Sequence, residues 1–395
     1  MQIFLNPGLI ALTLGYTLSQ FYRAFLAVLS PTLEAELGAS PGDLALSSGM
    51  WFIAFALMQL PVGWALDRIG PRRTVAAALA LGGGGGAAVF ALATQPWHLH
   101  LAMGLIGAGC APALMAAYYI IAHDYPRHVF AALSGMMIGL GSLGNILGAA
   151  PLVGLIHGIG WRQSLWLLAA VTLVVAALEW VVVRDPRHEG DPPRGSILDI
   201  LRLRVLWLML PLFATSYAAS AAIRGLWAAP YLQDVFGADD IAIGRATLVM
   251  GIAMVIGNLA LGIGIRAFGS ARRAALAGHA VALVALGLLC LMPGNSIALS
   301  VALLGLIGLV GANYSMLMAD ARLHLPQHLV GRGVTFLNMI SIGGAGIMQF
   351  ASRPLYQSAQ GLAGAAPYMV LFLFFLLPMA LGTLLYVITP EASHD

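Results

Sequence analysis

Lysine does not occur in this chain, so the 19 basic residues are all arginine, and charged residues of both signs make up only 9% of the sequence. A soluble domain carries roughly 25% charged residues because its surface faces water. A chain this poor in charge cannot cover itself with polar surface, which excludes an ordinary water-soluble globule. Cysteine is also scarce, with 2 in 395 residues. Cys110 and Cys290 both fall inside apolar runs, which excludes a disulfide framework. There is no His/Cys/Asp cluster at zinc-like spacing and no Gly-Lys-Ser/Thr loop to cradle a phosphate. No enzyme chemistry and no cofactor are expected, and any transport has to draw on a gradient.

What the chain has instead is apolar length. Hydrophobic residues make up 60%, and the mean hydropathy is +0.89. A helix needs about 20 apolar residues to cross a bilayer. Twelve such runs can be read, at 9–33, 43–66, 74–94, 97–121, 131–156, 161–183, 205–230, 240–264, 274–292, 296–320, 332–357 and 366–388. The first follows a start without a basic n-region or a cleavage site, so it is expected to be a mature helix. The longest polar stretch follows the sixth run and divides the chain into 1–183, a linker 184–204, and 205–395.

The net charge of +3 does not call for a nucleic-acid partner, because the arginines sort by side. With the N-terminus inside, the inner loops hold Arg68, Arg72, Arg73, Arg266, Arg272, Arg273 and others, while the outer side holds only Arg162, Arg245 and Arg353. Cytoplasmic loops retain positive charge, so both termini are expected in the cytoplasm. An internal repeat supports two related halves. Gly63-Trp64-Ala65-Leu66-Asp67-Arg68-Ile69-Gly70-Pro71-Arg72-Arg73 has a degenerate copy from Gly262 to Arg273, and Pro126-Arg127-His128 has a copy in Pro326-Gln327-His328. Corresponding turns recur about 200 residues apart.

The loop from Gly63 to Arg73 resembles the signature of the major facilitator superfamily, matching at Gly63, Asp67, Arg68, Gly70, Arg72 and Arg73. Gly160-Trp161-Arg162 is similar to another recurrent feature of that superfamily. The resemblance implies an all-α membrane fold of twelve transmembrane helices in two pseudo-symmetric six-helix bundles, working as a bacterial secondary transporter by alternating access. It also implies a conformational latch, in which the Asp67 carboxylate faces the positive N-terminus of helix eleven near Arg332. Arg266 stands where the second copy would carry the matching Asp.

Ionisable groups at mid-helix are costly in hydrocarbon and point to function. Arg23 in helix one and Arg224 in helix seven occupy equivalent places in the two halves. Guanidinium forks bind carboxylate or phosphate through paired hydrogen bonds. The favoured solute is therefore a small organic anion, with protons as the coupling ion, carried by a monomer in the inner membrane. Some organic-anion carriers of the superfamily are similar in pairing arginines from helices one and seven. Gln20, Tyr22, Tyr118, Tyr217, Trp227, Asn313, Tyr314 and Asn338 are further candidates for the substrate surface, although such a residue more often serves an interhelical hydrogen bond than a ligand contact.

Two other readings stay open from the sequence. Met250, Met254 and His279 offer soft ligands suited to Cu(I), and a copper-importing branch of the superfamily is similar in using such residues on consecutive helices. Leu283 stands where that branch has a second methionine partner. A drug/proton exporter is the other reading, although Gly148-Ala149-Ala150-Pro151 only approximates the exporter pattern in helix five.

Overall fold

The computed structural model describes residues 6–39, 41–126, 129–148, 150–186, 197–311, 313–326 and 329–390. Arg127, His128, Gln327 and His328, and most of the linker with Arg187 and Arg194, lie outside the described residues. Every regular element among the described residues is helical. In order they are α1 (Pro7–Leu37), α2 (Pro41–Arg68), α3 (Pro71–Ala91), α4 (Pro96–Asp124), α5 (Phe130–Gly141, Leu143–Leu147 and Ala150–Ile159) and α6 (Trp161–Val182). A short helix, Ile197–Leu201, leads into α7 (Arg204–Ala222, continuing through Ala228–Phe236). Then come α8 (Asp240–Phe268), α9 (Ala271–Leu291), α10 (Ile297–Leu323), α11 (Val330–Ala359) and α12 (Ala366–Val387).

Ten of these are long and apolar enough to cross a membrane, and the bent α5 makes an eleventh. The twelfth, α1, has 31 residues, roughly 46 Å at 1.5 Å per residue. Large apolar side chains are bare on the outside: Leu291 is 79% exposed, Leu81 78% and Phe350 75%. Such surface is costly in water and costless against lipid tails, and the helices satisfy their own backbone groups as hydrocarbon demands. The chain is a multi-pass membrane protein.

Local sequence explains the helix ends. Asn6 accepts the Gly8 amide at 2.8 Å and caps α1, while Gly38 ends it at a φ of 63°. Asp239 caps α8 through the Ala242 amide at 2.8 Å, and Ser270 caps α9 through the Arg273 amide at 3.1 Å. Both are N-cap residue types that satisfy an orphan amide. Among the described residues two helices carry a π turn, α3 at Leu79–Gly84 and α7 at Ile223–Trp227. The first falls in the glycine run, where Gly82 lies against the backbone of Gly109 in α4 with no room for a β-carbon.

The chain divides into two compact units, Met1–Gly195 with Pro326–Met339, and Ser196–Leu325 with Ile340–Asp395. The first ten residues of α11 therefore group with α1 to α6, and the rest with the second unit. In the first unit, Tyr22 of α1 reaches Thr172 of α6 at 2.8 Å. In the second, α8 packs its Met250 backbone against Gly308 of α10.

Candidate functional site

The signature loop closes on the start of α11. Arg332 Nε lies 3.2 Å from Asp67 Oδ2, with the two side chains 7% and 2% exposed. This is an ion-pair contact, and the backbone amides of Gly331 and Arg332 also donate to the Asp67 carboxylate. A carboxylate at a helix N-terminus meets both the orphan amides and the positive end of the dipole. The approach is close enough that Gly63 has the Thr335 side chain where a β-carbon would stand, and Gly331 has Asp67 Oδ1 there.

Beyond Asp67 the loop is tied to α6. Gly70 sits at a φ of 96°, with the Asp185 carboxyl filling the space a side chain would need. That carboxylate accepts the Arg72 amide at 2.8 Å, and Arg72 Nε donates to the Trp180 carbonyl at 2.6 Å. Arg68 and Arg73 stay exposed. The degenerate copy does the same in its own unit, where Arg272 donates to the Val387 carbonyl at 2.8 Å, at the end of α12. The repeat thus preserves an arginine that caps the last helix of each half. Nearby, Tyr386 donates to Asp320 Oδ2 at 2.6 Å. Burial holds His324 below the usual histidine range, with Arg272 pushing the same way and Asp320 opposing.

Arg23 lies midway along α1. Its guanidinium stacks 4.7 Å from the centre of the Trp51 ring, with Phe52 at 5.7 Å and Phe55 at 6.0 Å. Trp51 and Phe55 are themselves stacked at 4.9 Å. A guanidinium is weakly hydrated and planar, so aromatic faces can hold it. Gln20 lies one turn away on the same helix and donates to the Tyr16 hydroxyl at 2.6 Å. Tyr22 and Tyr118 are instead sealed in the packing, Tyr22 on Thr172 and Tyr118 against the Phe130 ring at 5.4 Å. Asn338, near the start of α11, is also buried in this unit.

In the second unit, Arg224 lies in the π turn of α7, its Nη1 3.3 Å from where a β-carbon on Gly251 of α8 would be. Trp227 donates to Ser352 Oγ of α11 at 2.9 Å and meets the Tyr356 ring at 4.8 Å. Tyr314 sits edge-on to Phe213 at 6.2 Å, and Tyr217 is half-buried. Asn313 reaches the Ala275 carbonyl and His279 Nδ1, each at 3.5 Å. His279 is fully engaged: Nδ1 bonds the Ala275 carbonyl at 2.7 Å and Nε2 bonds Ser216 at 2.8 Å. A histidine with both ring nitrogens in hydrogen bonds has no lone pair to spare for a metal. Met250 is buried towards α10, and Met254 is half-buried with its carbonyl bound by Asn258.

The sequence profile described as Major Facilitator Superfamily matches residues 12–349. The chain belongs to that superfamily. Its solved relatives share the fold: the Escherichia coli fucose:proton symporter FucP aligns at a TM-score of 0.76 and 15% identity, over 98% of this chain and 99% of that one. Among curated proteins, a putative tartrate transporter of Agrobacterium vitis is 22% identical over 60% of this chain and 58% of its own length. A quinolone resistance transporter of Acinetobacter baumannii is 24% identical over 59% and 60%. The 4-hydroxybenzoate transporter PcaK of Pseudomonas putida is 29% identical over 47% and 41%. The chain thus spans about two-fifths to three-fifths of these relatives' length. The superfamily consists of carriers, not enzymes.

Within this member of the superfamily, the signature residues divide into two groups. Gly63 and Asp67 face α11, whereas Gly70 and Arg72 face the end of α6. Trp51, Phe52 and Phe55, which frame Arg23, are not among the residues expected from the sequence. Their signal is present in their spacing, since Phe55 stands three residues from Phe52 and four from Trp51, the separations that share a helical face. Asp185 has the look of ordinary linker charge in the sequence, and only the fold brings it beneath Gly70. The position of Glu179 near the inner end of its helix understates its burial, since the side chain is 0% exposed.

Proposed function

We propose that this chain is a secondary transporter that imports a small organic anion, of the aryl carboxylate class, across the bacterial inner membrane by alternating access. The observation that carries the reading is the Arg23 guanidinium held on the Trp51 face with Phe52 and Phe55 beside it. Such a group offers a carboxylate two parallel N–H donors, and the neighbouring rings offer an aryl ring an apolar surface. A flexible drug-like cation gains nothing from a fixed guanidinium, which weighs against the exporter reading. The organic-acid names among the relatives, tartrate and 4-hydroxybenzoate, lend support. The arginine-rich loops favour cytoplasmic termini. In this reading Asp67 and Arg332 act as a latch that parts during the transport cycle, with Gly63, Arg68, Gly70, Arg72 and Arg73 completing the loop around it.

The test is uptake into proteoliposomes of radiolabelled 4-hydroxybenzoate, gallate, tartrate and a fluoroquinolone, each with an imposed gradient. The reading expects aryl carboxylates to accumulate above tartrate, and the fluoroquinolone not at all. Accumulation of the fluoroquinolone alone would replace it with the exporter reading.

A further inference from the structure

Glu179 lies one turn before the end of α6 and is wholly buried. Neither carboxylate oxygen has a hydrogen-bond partner. The carboxyl group is aimed at Gly15 of α1, where Oε1 occupies the place of a β-carbon, and Leu79 of α3 closes the same space at 3.6 Å. The ionisable side chains on the helices packed against α6 include Tyr16, Tyr22 and Arg23 on α1, Arg72 and Arg73 on α3, and His157 on α5. None of them pairs with Glu179 among the described residues. Tyr22 is spent on Thr172, and Arg72 donates to the Trp180 carbonyl. Arg23 lies on α1, which packs against α6 through the Tyr22–Thr172 hydrogen bond.

An ionised carboxylate without a donor or a cation in such a place is strongly disfavoured. The same side chain carrying a proton is merely a small polar group. Gly15 gives the acid its room, and the ends of α1 and α6 adjoin nearby, where Gly8 lies against the backbone of Val182 and Val183.

We propose that Glu179 is a proton-binding site of the carrier, loaded in the conformation described and emptied when the seam between α1 and α6 admits water. The step is a simple transfer: the carboxylic O–H breaks, its proton passes to a water molecule, and the carboxylate left behind is hydrated. No electrons move. As a coupling site for an anion held at Arg23, on the neighbouring α1, it rests on the reading above; as a proton site it does not.

Infrared difference spectroscopy of the purified protein in nanodiscs, without added substrate, tests the site itself. At neutral pH the wild type should show a carboxylic-acid carbonyl band that Glu179→Gln lacks, and alkalinisation should remove the band reversibly. If Glu179→Gln fails to fold, Glu179→Asp identifies the same band by moving its frequency. Identical spectra for wild type and Glu179→Gln would mean that Glu179 is ionised and would overturn the proposal. A band unchanged up to the pH at which the protein unfolds would also overturn it, since an acid that never exchanges is structural. Failure of aryl carboxylate uptake in the wild type would sink the anion reading and leave these spectra to decide the proton site.

Discussion

The Asp67 carboxylate and the Arg332 guanidinium, both nearly sealed from solvent, meet at 3.2 Å where α11 begins. Removing one partner of a buried pair strands the other, whereas removing both leaves no lone charge. Asp67→Asn and Arg332→Gln should each lower thermal stability in detergent. The double variant should lose less than the sum, with a coupling energy of about 0.5–3 kcal/mol. Thermal unfolding of the four proteins measures this, and strict additivity would show that the pair does not interact.

Gly70 combines a φ of 96° with the Asp185 carboxyl against its missing side chain. Gly70→Ala is expected to destabilise by about 1–2 kcal/mol, because the left-handed region and the contact both oppose a β-carbon. Asp185→Ala should relieve the contact but uncap the Arg72 amide, costing about 0.5–2 kcal/mol. The combined variant should fall short of the sum of the two, which the same unfolding assay detects.

Arg72 and Arg272 play the same part in separate units, each donating to carbonyls at the end of the last helix of its half. Cations at helix C-termini contribute about 0.3–1 kcal/mol. Arg72→Ala and Arg272→Ala should therefore cost similar amounts, with partial rescue by lysine, which keeps the charge without the planar fork. A silent Arg272→Ala beside a damaging Arg72→Ala would mean that the second copy of the repeat has lost this role.

His324 gives a prediction in pH. Burial lowers its pKa in the folded protein, with Asp320 opposing and Arg272 reinforcing. The unfolded chain takes up a proton near the ordinary value of about 6.5, so it binds more protons than the folded chain as pH falls below that point. Stability should decline there. His324→Gln should lose less stability than wild type between neutral pH and pH about 5, where the unfolded histidine is charged. Parallel stability curves for the two proteins would contradict this.

Much of the fold is legible in the sequence, because a bilayer imposes a simple code. Apolar length and loop arginines mark the twelve helices, and the Gly63–Arg73 loop marks the superfamily and the place of Asp67. What is not legible depends on which helices touch. Nothing in the order of residues says that Tyr22 is spent on Thr172, that His279 is held between Ser216 and Ala275, or that Asp185 sits beneath Gly70. Glu179 shows the same limit. Its position along α6 suggests a helix-end charge, and only the packing of α1 against it removes every partner.

Initial uptake rates of 4-hydroxybenzoate in proteoliposomes test whether Arg23 on its aromatic bed binds the anion. Arg23→Ala, at equal folded amounts, should lose at least about tenfold in kcat/KM, equivalent to about 1.4 kcal/mol, and Arg23→Lys should recover part of it. Uptake by Arg23→Ala with wild-type rate and KM would contradict it.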